Sequence, residues 1–115
     1  MTFNEYQKKA ITTELMKRTG SSSANEPAMV AKILGLVGES GEVAEKFKKI
    51  IRDKNGIISS EDRIAIQKEL GDVLWYVSEL ANYLGISLEK VAEKNLDKLF
   101  GRRERGTASG SGDNR

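Results

Sequence analysis

The chain contains no histidine and no cysteine. Without cysteine there are no disulfides, no thiolate nucleophile and no sulfur ligand for zinc. Without histidine, the commonest general base and the commonest nitrogen ligand for metals are missing too. Aromatic residues make up only 6% of the chain, and the basic residues are interleaved with acids to a net charge of +2. Neither a stacking platform nor a basic stripe for nucleic acid stands out. No apolar run approaches the length of a membrane span, and no segment alternates as a strand or repeats at the period of a solenoid. The opening residues, MTFNEYQKKA, lack the apolar centre of a signal peptide. The expectation is a cytoplasmic protein with neither membrane nor nucleic-acid partners.

What is there is oxygen chemistry on helices. At 115 residues, with 38% apolar and 31% charged residues, the chain is one domain, small enough that an oligomer would help to bury its core. A first helix is predicted over Phe3–Arg18, opened by a capping box at Thr2 and Glu5. Its stripe is Phe3, Tyr6, Ala10 and Thr13. The segment Thr19–Asn25 reads as a loop, and Pro27 suits the first turn of a second helix reaching Arg52. In that helix Met29, Ile33, Leu36, Ser40, Val43, Phe47 and Ile50 form a packing seam. Gly35, Gly38 and Gly41 interrupt it at a cost on the order of 1 kcal/mol each relative to Ala, which suggests close backbone approach or a kink. A third helix is predicted to open after Ser59 and Ser60 and to stop near Leu84, before Gly85, with Ile66, Leu70, Val73, Val77, Leu80 and Leu84 as its seam. A fourth runs from Ser87 to about Arg103 and turns Leu88, Ala92, Leu96 and Leu99 or Phe100 inward. The division expected is a helical domain over 1–105 and a flexible polar tail over 106–115.

Two acidic pairs stand out in this frame, Glu39-x-x-Glu42 and Glu69-x-x-Asp72. A three-residue step puts both carboxylates of a pair on one helical face. Glu39, Glu42, Lys46 and Lys49 line one strip of the second helix; Glu69, Asp72, Tyr76 and Glu79 line one strip of the third. Most such pairs are a solvated face. Here they occur twice on the two most apolar helices, have glycine inside or beside them (Gly38 and Gly41; Gly71), and sit on helices joined by a short polar turn. An antiparallel hairpin would bring the pairs together. Four like charges stay ionised at close quarters only with a cation, and all-oxygen ligation suits Mg²⁺ or Mn²⁺. Spacing alone leaves a solvated face and a metal site both open, and names no substrate.

The stretches GLVGESGEVAEKFKK (Gly35–Lys49) and KELGDVLWYVSELANYLGISLEKVAEKNLDKL (Lys68–Leu99) closely resemble the MazG-like nucleotide pyrophosphohydrolases of the all-α NTP pyrophosphatase superfamily. The family signature is E-x-x-E, a spacer, then E-x-x-D, and the resemblance covers about Phe3–Arg103. It implies an all-α, four-helix-bundle type of fold in a homodimer or homotetramer. It further implies Mg²⁺-dependent hydrolysis of nucleoside triphosphates to monophosphate and pyrophosphate. On this reading Glu39, Glu42, Glu69 and Asp72 hold the metal, and Asn95-x-x-Lys98 matches a position implicated in nucleotide binding. The tail's GSGDNR is similar to the ends of several short members.

The mechanism expected is attack of metal-activated water at the α-phosphorus, with Glu42, or less favourably Glu39, taking the proton. Lys46, Lys49 and Lys98 are candidates for the phosphate oxygens. For the base, Trp75, Tyr76 and Tyr83 and, from the first helix, Phe3, Tyr6 and Gln7 are the available pieces; Trp75 and Tyr83 fit core packing better. Two rivals are a related pyrophosphatase with another substrate (dUTPase-like or phosphoribosyl-ATP pyrophosphohydrolase-like) and a non-enzymatic helical interaction module.

Overall fold

The computed structural model describes residues 1–16 and 23–115, and among these there are helices and no strands. Helix α1 spans Phe3–Ala10, α2 Pro27–Lys54, α3 Ser60–Tyr83 and α4 Leu88–Glu104, with a 3₁₀ turn at Ile11–Thr13. The all-α expectation is met, and the last three helices end within about two residues of where their punctuation places them. Pro27 occupies the first turn of α2, and Asn55 closes it in the left-handed region at φ 53°. Ser59 and Asp62 form a capping box at the head of α3. Gly85, at φ 69°, closes the other end of α3, where the Ile86 N–H reaches back to the Ala81 carbonyl at 2.8 Å. Ser87 then caps α4.

The first helix is shorter than its pattern predicts. It stops at Ala10 instead of running on to Arg18, which itself lies outside the described residues. The cause is local. Ile11, Thr12 and Thr13 are a β-branched run, and the two threonine hydroxyls donate back to the Lys9 and Ala10 carbonyls at 2.7 Å. Those carbonyls are thereby capped, and the chain leaves in extended conformation at Glu14.

Helices α2 and α3 form the main antiparallel hairpin, and α1 and α4 lie beside it, with α1 against both α3 and α4. Gln7 fastens α1 to the α3–α4 turn with both ends of its amide. Its Nε2 donates to the Ile86 carbonyl at 2.9 Å, and its Oε1 accepts from the Leu88 N–H at 3.0 Å. Gln7, read from sequence as a piece of a base pocket, serves this turn instead.

A small core gathers Ala28, Met29 and Tyr83, with Leu80 against it. Much of the predicted seam is not covered within one chain. Ile33, Phe47, Leu70 and Leu84 are exposed, and so are Leu96, Leu99 and Phe100, of which Leu96 and one of the other two were expected to face inward. The main helix contacts of α4 are with α1 and α3, and among the described residues Leu96, Leu99 and Phe100 stay exposed. The accessible surface of 8248 Å² exceeds by roughly 2,000 Å² what a compact monomer of this mass shows.

The residues after α4 run back along it. Arg102 is buried, and its guanidinium donates to the Gly112 carbonyl at 3.2 Å and to the Asp113 carbonyl at 2.8 Å. Asp113 also receives Lys98 and Arg102 on one carboxylate oxygen, each at 3.1 Å.

Candidate active site

The register of the α2–α3 hairpin is pinned at its tip. Lys54, the last residue of α2, donates to both oxygens of Asp62 at 2.8 and 2.9 Å. Asp62 also accepts from the Ser59 N–H and hydroxyl. These contacts, the Lys54 ammonium first, hold the Asp62 carboxyl down at about 2. The tip thus ties the end of one helix to the start of the next, and the acidic pairs follow in step on facing strips.

They do meet. Glu39 from α2 and Glu69 and Asp72 from α3 each offer a carboxylate oxygen, and the three lie within 4.8 Å of one another. Glu39 and Glu69 are half-buried and Asp72 is exposed, so the cluster opens to solvent on one side. Partial burial pushes the Glu39 carboxyl above its ordinary range, and the charges of Asp72, Glu69 and Glu42 add to the push. Glu42 is not one of the three. It stands exposed one turn along α2 from Glu39, near enough to act on it by charge. Lys46 reaches Glu69 at 3.3 Å, so an ammonium borders the acids. Lys49 pairs with Glu45 at 3.7 Å and points its charge along its own helix. Asn95 is exposed on α4, and Lys98 is engaged with Asp113.

The glycines near the pairs separate into two kinds. A Cβ at Gly35 would fall inside the Tyr76 ring, so that glycine is what lets an aromatic on α3 press against the backbone of α2. Cβ atoms at Gly38, Gly41 and Gly71 would meet nothing within 4 Å. Close approach explains Gly35 alone; around the other three the chain leaves open space beside the acids.

Sequence reasoning put Glu79 on the strip of Glu69 and Asp72 but missed the group of charges it joins, two turns away on the same helices. Lys32 on α2 pairs with Glu14 at 2.5 Å, and Glu79 on α3 lies beside them, all three around one cavity. A signal was present. Lys32 is the only charged residue in 27–38, and Glu79 the only one in 73–88. A lone charge inside a long apolar stretch is costly unless it has a partner, so each marks a contact from elsewhere in the fold.

No described helix is long and apolar enough to cross a membrane. The profile of the MazG nucleotide pyrophosphohydrolase domain matches residues 29–107, which take in α4 and nearly the whole α2–α3 hairpin. The gene 37 protein of Mycobacterium phage L5 is 57% identical over 82 residues, 71% of this chain and 72% of the phage protein. No solved structure gives a significant match. With paired acids on facing helices and the domain profile covering both, the chain belongs to the MazG nucleotide pyrophosphohydrolase family.

Proposed function

We propose that the protein is a Mg²⁺-dependent nucleoside triphosphate pyrophosphohydrolase that releases a nucleoside monophosphate and pyrophosphate. The observation that carries this reading is the convergence of Glu39, Glu69 and Asp72 within 4.8 Å from two helices. Three carboxylates, no imidazole and no thiolate make a hard, all-oxygen donor set, which fits Mg²⁺ and accepts Mn²⁺. Glu39, Glu69 and Asp72 would hold the metal, with Glu42 at the border of the set. A cation bound there supplies Lewis acidity toward the attacking water and offsets charge on the phosphate chain.

The chain's own residues do the rest. Glu42, exposed and outside the cluster, is free to accept the proton of a water attacking the α-phosphorus. A new P–O bond forms at that phosphorus, and the bond to the α–β bridging oxygen breaks. Pyrophosphate leaves with the electron pair. Lys46, beside Glu69, offers an ammonium to the phosphate oxygens, and Asn95 of α4 would offer an amide N–H; Lys49 and Lys98 are weaker candidates because Glu45 and Asp113 hold them. The exposed apolar seam and the excess surface support a homodimer or homotetramer in which a second copy covers that face. A nucleotide substrate is in keeping with a cytoplasmic location.

The test is product analysis on a panel of NTPs and dNTPs with and without Mg²⁺, with Glu42→Gln alongside. Monophosphate and pyrophosphate, formed only with metal and lost in the variant, are expected. Diphosphate with orthophosphate would place attack at the γ-phosphorus and overturn the mechanism.

A further inference from the structure

Glu14, Lys32, Glu79, Asn82, Ile11 and Tyr83 line a cavity of about 220 Å³ beside the hairpin. Its charges are unbalanced. Glu14 takes the Lys32 ammonium at 2.5 Å, which leaves one lysine for two carboxylates. Glu79 is only 4% exposed, and its Oε1 is buried with no hydrogen-bond partner among the described residues. A buried carboxylate that serves only structure is normally satisfied by hydrogen bonds. One that is left unsatisfied at the wall of a cavity is arranged for something that enters the cavity.

The position says what enters. Glu79 follows Asp72 by seven residues on α3, and Lys32 precedes Glu39 by seven on α2. On both helices of the antiparallel hairpin the cavity therefore lies two turns, about 10 Å, from the carboxylate cluster. That is the reach from the pairing edge of a purine, across its sugar, to the α-phosphate. Tyr76 lies between the two on the same strip of α3, against Gly35. Burial first, and then the charges of Glu79 and Asp72, raise the Tyr6 hydroxyl of α1 above its ordinary value. The volume suits one ring system and excludes a whole nucleotide.

We infer that this cavity is the base-recognition pocket and that it selects a guanine-type base; the inference rests on the pyrophosphohydrolase reading above. A carboxylate accepts two adjacent N–H donors, and guanine presents them at N1 and at its exocyclic amino group, next to a carbonyl that suits the Lys32 ammonium. Adenine would set a ring-nitrogen lone pair against the Glu79 carboxylate. Cytosine does the same beside its amino group, and thymine and uracil bring a carbonyl to it. Each leaves a buried acceptor facing an acceptor, which is the arrangement a site rejects most strongly.

The experiment has two arms. In the first, kcat/KM is measured for the four bases in the ribo and deoxy series, with wild type and Glu79→Gln. Guanine nucleotides are expected to lead in wild type, and the substitution is expected to erase about tenfold to a hundredfold of that lead. In the second, guanosine, which has no phosphates, is titrated against the fluorescence of Trp75, the chain's only tryptophan, whose ring lies 5.5 Å from the Lys32 ammonium. Saturable quenching by guanosine and not by adenosine or cytidine is expected, and its loss in Glu79→Gln. Guanosine binding without turnover of any triphosphate would leave the pocket standing and overturn the hydrolase reading. Turnover with no preference among bases in wild type would overturn the pocket and leave the hydrolase. The wild-type panel needs no variant, and a thermal melt of Glu79→Gln no lower than wild type excludes misfolding as the cause of any loss.

Discussion

Two groups of charge sit two turns apart on one helical hairpin, and they are balanced in opposite ways. Around Glu39, Glu69 and Asp72 the acids outnumber the one ammonium at their border, and the site faces solvent. Around Glu14, Lys32 and Glu79 the lysine is central and both Lys32 and Glu79 are almost wholly out of water. An open cluster of like charge can recruit a hydrated cation and screen itself meanwhile. A closed one depends on counter-charge carried in the sequence, and here one lysine answers two acids. The two differ less in residue type than in access, and it is by access that the proposed reading gives metal chemistry to one and recognition to the other.

The largest effect that could break this contrast is catalytic. Glu39→Gln should abolish turnover and also remove the rise in melting temperature on adding Mg²⁺. Glu42→Gln should lower kcat by about 10²- to 10⁴-fold while keeping that rise. Equal loss of the Mg²⁺ response in both variants would make Glu42 a ligand rather than the base.

Next comes stability. Lys32→Met strips the ammonium from between two acids in a buried setting and should cost about 3–5 kcal/mol in urea unfolding. Lys46→Met, at the open cluster, should stay within about 1 kcal/mol. If the two variants unfold at the same denaturant concentration, the distinction between open and closed charge fails.

A smaller effect is a pH dependence. Burial, and then the charge of Glu14, raise the Glu79 carboxyl above its ordinary value, with Lys32 opposing. A carboxyl raised on folding destabilises the folded state as pH climbs from its ordinary value through the raised one. Glu79→Gln should therefore gain stability over wild type as pH rises across that window, and match it below. Asp62 runs the other way. Its carboxyl sits at about 2 against an ordinary 3.8, so its contribution is complete above 3.8 and is lost as pH falls toward 2. Acid unfolding curves of Asp62→Asn should lack that step. Smallest of all, Ser59→Ala removes the α3 cap and should cost about 1 kcal/mol in thermal or urea melts.

How much of this was legible in the residues follows from range. Ser59, Ser87, Asn55 and Gly85 act on neighbours three or four residues away, so the bounds of α2, α3 and α4 could be read from them. The Glu39 and Glu69–Asp72 carboxylates share faces by the same short spacing, and one hairpin sufficed to join them. Thr13 had the right spacing for helix, but it and Thr12 spent their hydroxyls on the backbone, which no apolar period registers. The pairing of Glu14 with Lys32 links positions on separate elements, so only the fold reveals it. The inward turn expected of Leu96 and of Leu99 or Phe100 failed because periodicity marks an apolar face without naming what covers it.

Gly35 sits midway between the two charged groups, where any side chain would collide with Tyr76. One added methyl would force the Tyr76 ring to move from its place between them. The acids and the lone lysine can each be exchanged without touching that ring, whereas any side chain at residue 35 displaces it. The residue with the least chemistry thus sets where the aromatic between the two groups can stand.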